Sequence, residues 1–296
     1  MYVIFGASGK VGRATAIALR NAGRPVRAVV RQARRGEGLS RIGCEIVCAD
    51  LTDRASVARA IEGATAVQVL CPVPTRNVDP ASTMERMIDV AADALRANPP
   101  ACVLALSDYG AELDQGTGLT GLFHLLEARL KLLATHLTLL RSAEHTENWA
   151  AMLPVMLASG RLPSLHDPLD RRFATVAAAD VGALAAELLL DAPPRKTPRI
   201  VSIEGPRRVS LIEVARAFSA VVGREIIADA VPRNLWAAML QRAGLSDNHG
   251  QLITALYDAL NAGRIDVEKG VSELRYGKTE LSDVCAEMVA AHVKSR

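Results

Sequence analysis

Residues 2–12 read Tyr2-Val-Ile-Phe-Gly6-Ala-Ser8-Gly9-Lys10-Val11-Gly12, an apolar run that breaks into glycines three apart and then into a helical pattern. That order is how a parallel strand hands over to a dinucleotide-binding helix. Gly6 permits a turn that a side chain would obstruct, Gly9 lets the backbone lie against a pyrophosphate, and Gly12 lets the helix pack close to the sheet. The free amides at the helix N-terminus, flanked by Ser8, Lys10 and Val11, then meet the phosphate charge. The spacing is Gly-x-x-Gly-x-x-Gly rather than the commoner Gly-x-Gly-x-x-Gly, but the helix does follow, with Val11, Ala14, Ala16, Ile17 and Leu19 at helical intervals. A mononucleotide P-loop is excluded, because Gly9-Lys10 is followed by Val11 and not by Ser or Thr.

Outward from this stretch, 296 residues suffice for one large domain or two smaller ones, and a hydrophobic content of 50% excludes a disordered chain. With 35 basic and 32 acidic residues, and no basic block interleaved with aromatics, nucleic acid is not the expected partner. The cysteines, Cys44, Cys48, Cys71, Cys102 and Cys285, form no Cys-x-x-Cys pair and read as reduced, buried thiols of a cytoplasmic protein. The first strand begins at once, which leaves no room for a signal peptide, and no apolar run approaches the roughly 18 residues of a membrane span. A soluble protein is expected.

Strand and helix then alternate. Pro25 to Val30 reads as the second strand and ends at Arg31, where an acidic residue would hold the ribose of NAD and an arginine suits a 2′-phosphate. Arg34 and Arg35 follow close by. A third strand, Cys44 to Cys48, ends in Asp50-Leu51-Thr52-Asp53; Asp50 is placed to accept from an adenine amino group, and Thr52 or Asp53 to cap the next helix. The fourth strand, Ala66 to Leu70, stops at Cys71-Pro72-Val73-Pro74, with Cys71 read as a small buried hydrophobe at the crevice. The fifth, Ala101 to Leu106, runs into Ser107-Asp108-Tyr109-Gly110, whose serine and tyrosine are candidates for binding a carbonyl or donating a proton. A helix from Thr120 carries His124 and Glu127, and a sixth strand, Leu137 to Leu140, enters Arg141-Ser142-Ala143-Glu144-His145. The alternation predicts an α/β, Rossmann-like doubly wound parallel sheet over residues 1–150. Residues 151–296 read as a smaller mixed substrate lobe. Its helix from about Asp180 to Leu190, capped by Asp180 and closed by Pro193-Pro194, returns to the first domain, and Ser210 with Glu213 forms a capping box.

On these residues the chain resembles the NmrA-like branch of the atypical short-chain dehydrogenase/reductases over essentially its whole length. Gly6 to Gly12 resembles the family's phosphate loop, Asp50-Leu51 its adenine contact, and Ser107-Asp-Tyr109-Gly-Ala-Glu-Leu113 its fifth-strand signature. Leu139-Leu-Arg141 through Glu147-Asn148-Trp149 is similar to its Leu-Arg-Pro-x-x-Phe-x-Glu-Asn-Trp stretch, and Ala178 to Gly182 and Glu204-Gly-Pro206 to its later landmarks. The resemblance implies either an NADPH-dependent reductase or a dinucleotide-sensing regulator that binds a protein partner, and Arg31 favours NADP(H), with NAD(H) second. The Tyr-x-x-x-Lys pair of ordinary family reductases is missing, since Tyr109, Tyr257 and Tyr276 are followed four residues later by Leu113, Asn261 and Glu280. His124 and Glu127 stand where relatives reach the ribose or nicotinamide. Ser142 and His145 replace the family's Pro and Phe beside the nicotinamide, so His145 joins Tyr109, His124 and Ser107 as a candidate proton donor or polarising group. A metal held by Glu144, His145 and Glu147 is disfavoured, because neighbours on one segment rarely point at one ion.

Trp149, Phe123, Phe173 and Trp236 are the candidate lining of an apolar pocket for a small carbonyl or quinone-like acceptor. A third reading, an epimerase or lyase, needs a polar substrate clamp, for which Arg161, Arg171 and Arg172 are candidates. Homodimerisation is left open.

Overall fold

The computed structural model describes residues 1–75, 77–192 and 196–294. In chain order its strands are β1 (Tyr2–Ile4), β2 (Val26–Val30), β3 (Glu45–Cys48), β4 (Ala66–Val69), β5 (Cys102–Asp108) and β6 (His136–Ser142). They continue as β7 (Glu144–His145), β8 (Arg161–Ser164), β9 (Thr175–Val176), β10 (Arg199–Glu204), β11 (Ile227–Ala230) and β12 (Glu273–Tyr276). Eight of these form one sheet in the order β12-β10-β6-β5-β4-β1-β2-β3, every neighbouring pair parallel. The chain winds outward from β1 to β3, crosses back to β4 and winds outward again, which is the doubly wound order and places a crevice at the β1/β4 switch point.

A parallel sheet needs both faces covered, and the four residues of β4 are buried throughout. On one face Val11, Ala16 and Leu19 of the helix Lys10–Asn21 and Val181, Ala185 and Leu189 of the helix Ala178–Leu190 pack on Ile4, Ala28 and Val201. On the other, the helices Arg54–Ile61, Pro80–Ala97 and Thr120–Leu130 bring Ile61, Ile88, Leu95 and Leu126 onto Val3, Val67, Val103 and Leu139.

The sheet does not end near residue 150. β10 pairs with β6 and β12 with β10, so two strands of the second half extend it. β12 carries no apolar run, because Glu273-Leu-Arg-Tyr276 is an edge strand with polar residues facing outward. The helix Ala178–Leu190 sits on the first helix so closely that a Cβ at Gly182 would lie 2.5 Å from Ala14 Cβ and from the Val11 carbonyl oxygen. Asp180 does not cap that helix. Ala177 is the N-cap, and the Asp180 carboxylate accepts from the Lys278 and Thr279 amides at 2.9 Å and the Thr279 hydroxyl at 3.0 Å, tying the segment after β12 to the first turn.

A further core gathers Trp149, Leu153, Leu162, Phe218, Leu281 and Met288. The capping box forms, with the Glu213 amide donating to Ser210 Oγ at 3.3 Å and the Ser210 amide to Glu213 Oε2 at 2.8 Å. Asp53, rather than Thr52, caps the helix Arg54–Ile61 by accepting from the Ala55 amide at 3.0 Å. All five cysteines are free; Cys44, Cys71 and Cys285 are buried, Cys102 is partly buried and Cys48 is exposed, so burial is not general. Pro193 and Pro194 lie outside the described residues. Among the described residues no helix is long and apolar enough to cross a membrane.

Candidate functional site

The glycine turn has the geometry its spacing implies. Gly6 has φ +69°, open to glycine at no steric cost, and a Cβ at Gly12 would lie 2.8 Å from the Gly6 carbonyl carbon and 3.0 Å from Ala7 Cα. The first intrahelical bond is donated by Arg13 to the Gly9 carbonyl at 2.9 Å, so the amides of Lys10, Val11 and Gly12 precede it and lack helical partners. Ser8, Gly9 and Lys10 are exposed, and the first turn holds no acidic residue. A backbone cradle of free donors, kept open by absent Cβ atoms, fits a pyrophosphate.

Arg31 stands exposed at the end of β2, while Arg34 is turned to Gln32 Oε1. Beyond β3, Asp50 Oδ1 accepts from the Thr52 amide at 2.8 Å and hydroxyl at 2.7 Å. These bonds, with the charges of Arg31 and Arg86, hold the Asp50 carboxyl below the usual carboxylate range. Leu51 is half-buried beside it. Cys71, past the end of β4, is a wall residue, its thiol pushed up to about 12 by burial and thereby kept unreactive.

Between the phosphate turn and the lobe lies a cavity of about 630 Å³ at the carboxyl ends of β4, β5 and β6. Val11, Leu70 and Cys71 line it beside the glycine turn and the end of β4, Phe123, Phe173 and Leu256 form its apolar walls, and Ser107, Asp108, Tyr109, Ser142, Glu144 and His145 its polar floor. Glu144 is shared between elements far apart in sequence: Tyr257 donates to its Oε1 at 3.0 Å and His166 Nε2 to its Oε2 at 2.9 Å. Burial alone would raise the Glu144 carboxyl, but the charge and hydrogen bond of His166 and the bond from Tyr257 hold it below its ordinary value. The His166 ring stacks on Phe173 at 3.9 Å between centroids. Asp108 is the opposite case. Burial pushes it up to about 7, against the hydrogen bond that Thr120 Oγ1 donates to its Oδ2 at 2.8 Å.

His145 lines the cavity with Nε2 3.3 Å from Ser142 Oγ, and burial lowers its pKa, leaving a neutral ring. The Tyr109 hydroxyl donates to Glu204 Oε2 at 3.4 Å, and burial together with the Glu204 charge makes it a weaker acid than free tyrosine. Ser107 reaches the floor but donates to Glu127 Oε1 at 2.7 Å. Glu127 itself is withdrawn from the cavity lining: Arg141 holds both its oxygens at 2.7 Å from within the core. His124 Nδ1 is engaged 2.9 Å from the Ala111 carbonyl and also lies off the cavity lining. Of the aromatics, Phe123 and Phe173 line the cavity, whereas Trp149 stands behind Phe173 and Trp236 behind Tyr257, both edge-on in neighbouring cores. Glu147 accepts from the Ala178 amide and so caps the helix Ala178–Leu190. Arg161 pairs with Asp229, while Arg171 and Arg172 line the cavity.

Sequence reading missed Asp108, His166 and Tyr257. Asp108 stood inside the Ser107-Asp-Tyr109 signature without a role of its own, Tyr257 entered only through the Tyr-x-x-x-Lys comparison, whose Tyr257 and Asn261 both face the cavity, and no motif marks His166.

No curated protein matches the chain. An NADPH-dependent quinone oxidoreductase of Escherichia coli, solved with NADPH, is similar in structure at a TM-score of 0.80 with 21% identity, covering 98% of this chain and 100% of that one. A triphenylmethane reductase from Citrobacter sp. gives 0.78 with 19% identity over 98% and 99% of the two chains. A nucleoside-diphosphate-sugar epimerase from Staphylococcus aureus gives 0.79 with 15% identity over 96% and 99%. These identities establish the shared fold. Residues 6–192, more than half of the chain, match the NAD(P)H-binding family, the span that holds the glycine turn, Arg31, Asp50 and the β5 and β6 signatures. The chain belongs to the NAD(P)H-binding family.

Proposed function

We propose that the protein is an NADPH-dependent reductase of a small, flat carbonyl or quinone-like acceptor. The observation that carries this is the position of the 630 Å³ cavity, apolar in its walls and polar in its floor, directly against Val11 of the phosphate turn. Gly6, Ser8, Gly9, Lys10, Val11 and Gly12 hold the pyrophosphate, Asp50 and Leu51 the adenine, and Arg31 the 2′-phosphate. When bound, the reduced nicotinamide supplies hydride chemistry. The chain's own task is to orient an acceptor between Phe123 and Phe173 and keep water from it. The quinone and dye reductases named above share this fold and support the acceptor class by analogy.

Arg31→Glu is expected to weaken NADPH binding by about tenfold or more while leaving NADH binding unchanged or tighter, because it replaces a charge-assisted partner of the 2′-phosphate with a repelling one. Fluorescence titration with both cofactors checks this, and equal losses for the two would assign the phosphate elsewhere. His145→Ala is expected to slow turnover by less than about tenfold, since a neutral ring bonded to Ser142 positions rather than protonates.

The engagement of Tyr109 by Glu204, with no lysine four residues on, supports the second reading, a regulator that binds NADP(H) without turnover. Absorbance of NADPH followed with a panel of quinones and carbonyls separates the two. Acceptor-dependent loss of absorbance makes the protein a reductase, and tight NADPH binding with a flat trace across the panel favours the regulator. An epimerase, which returns its hydride, would also show no net oxidation but would convert a sugar nucleotide.

A further inference from the structure

We propose that Asp108 is the group that hydrogen-bonds the oxygen of a bound carbonyl or quinone acceptor and gives it the proton gained on reduction. This rests on the reductase reading and fills the place that a tyrosine and lysine hold in ordinary family members.

Asp108 ends β5 on the cavity floor, and its one side-chain partner among the described residues is the Thr120 hydroxyl on Oδ2. Among the described residues no side chain donates to Oδ1 and no arginine, lysine or histidine forms an ion pair with Asp108, the Tyr109 amide being its other donor. Most other protic groups of the floor and walls are committed, Ser142 and His145 to each other, and Asn148, exposed at the rim, is a neutral amide with no proton to give. Tyr257 and His166 both donate to Glu144, Tyr109 donates to Glu204, and Ser107 donates to Glu127. The cavity's arginines are engaged as well: Arg171 by the Asn261 carbonyl, Arg172 by Glu213, and Arg208 by Glu204 and Asp266.

The charge pattern then keeps a proton where it is needed. Facing Asp108 are Glu144 from β7 and Glu112 from the turn after β5, both acidic, with Thr120 from the helix Thr120–Leu130 and the Tyr109 amide as neutral donors. Among the other titratable groups of the lining, His145, His166 and Tyr257 bear on Glu144, and Cys71, Asp167 and Asp266 stand elsewhere on the wall. His166 and Tyr257 hold Glu144 ionised, and the Glu144 charge, with burial, favours protonated Asp108 up to about pH 7. Two nearby carboxyls pushed to opposite protonation states is an arrangement that supplies an acid at neutral pH. On reduction the acceptor carbon takes hydride from a reduced nicotinamide dinucleotide, the C=O π electrons move to oxygen, and that oxygen takes the Asp108 proton. Asp108 is left as carboxylate, to be reprotonated from solvent.

Infrared difference spectroscopy on the NADP⁺-loaded full chain, which has no hydride to give, tests the contact apart from turnover. With 1,4-naphthoquinone added below about pH 7, wild-type protein should show a protonated-carboxyl band that Asp108→Asn removes. The quinone carbonyl stretch should also lie at lower frequency than in Asp108→Ala. A missing band, a band that survives in Asp108→Asn, or a quinone stretch indifferent to Asp108→Ala overturns the proposal. In turnover, wild-type kcat/KM is expected to fall about tenfold per pH unit above about 7, whereas Asp108→Asn should be slower by about 100-fold or more and lose that slope. A variant with wild-type rate and pH profile overturns it equally. Should no acceptor oxidise NADPH with any of the proteins, the reductase reading fails by itself, and the infrared arm still decides whether Asp108 bonds a carbonyl.

Discussion

Arg141→Met is expected to lower stability by about 3–5 kcal/mol, read as a shift in the urea midpoint at unchanged slope. Arg141 lies on β6 with its side chain 2% exposed, inside a cage of carboxylates. Its Nε and Nη2 hold the two oxygens of Glu127 at 2.7 Å, and its Nη1 reaches Glu112 at 2.9 Å and Glu268 at 2.6 Å. Taking the guanidinium away leaves the Glu127 carboxylate, 1% exposed, with only the Ser107 hydroxyl and Lys131 for company. The penalty is therefore mostly that of an uncompensated buried charge, and Glu127→Gln added to Arg141→Met should recover part of it. A single-variant loss under about 1 kcal/mol would mean that the cage is wetter than its burial implies.

The same network sets a pH dependence of definite sign. Burial would raise the Glu127 carboxyl, but the bonds and charge of Arg141 hold it below its ordinary value. A depressed folded-state pKa contributes stability that is fully present above the unfolded value, about 4.3 for Glu, and that disappears as pH falls through the folded one. Arg141→Met should accordingly flatten the acid limb of the stability curve.

Gly12→Val is the second large effect, and it falls on cofactor binding. A Cβ at Gly12 would already press on the Gly6 carbonyl, and valine adds two methyls. The helix must then retreat from the turn, carrying the Lys10, Val11 and Gly12 amides away from the phosphate. Overpacking of this kind costs about 1–3 kcal/mol of stability, and loss of aligned donors to a doubly charged group should weaken NADPH by about 100-fold or more. Gly23→Ala is the contrast. Gly23 also has positive φ, +72°, but no heavy atom within 4 Å of its Cβ position, so it should cost backbone strain alone and leave NADPH affinity unchanged. Equal affinities for all three proteins would place the pyrophosphate away from this turn.

What was legible in sequence was what depends on short-range rules. The roles of Gly6 and Gly12 follow from turn and packing geometry within a few residues, and the Ser210–Glu213 box from a spacing of three. Arg141 was legible as part of a signature but not as the centre of an ion cage, because its partners come from positions 112, 127 and 268. The cavity floor is likewise assembled from distant segments: Asp108 is raised by burial and, after it, by the Glu144 charge, and Glu144 owes its charge to residues 166 and 257. The two tryptophans were placed in the pocket by composition and stand one layer behind it, since Phe173 and Tyr257 fill the positions facing the ligand space. β12 was invisible because an outermost strand with one partner need not be apolar.

Gly182, pressed on Val11 and Ala14, has a consequence for the order of events during synthesis. The glycine turn leaves the ribosome early, but the helix that braces it from behind is made only after the first six strands of the sheet, and the clasp on Asp180 comes from residues 278 and 279, later still. Long-range closures of this kind form after local ones. The turn is therefore braced only near the end of the chain's making, and a polypeptide halted at residue 150 carries the glycine turn without that buttress.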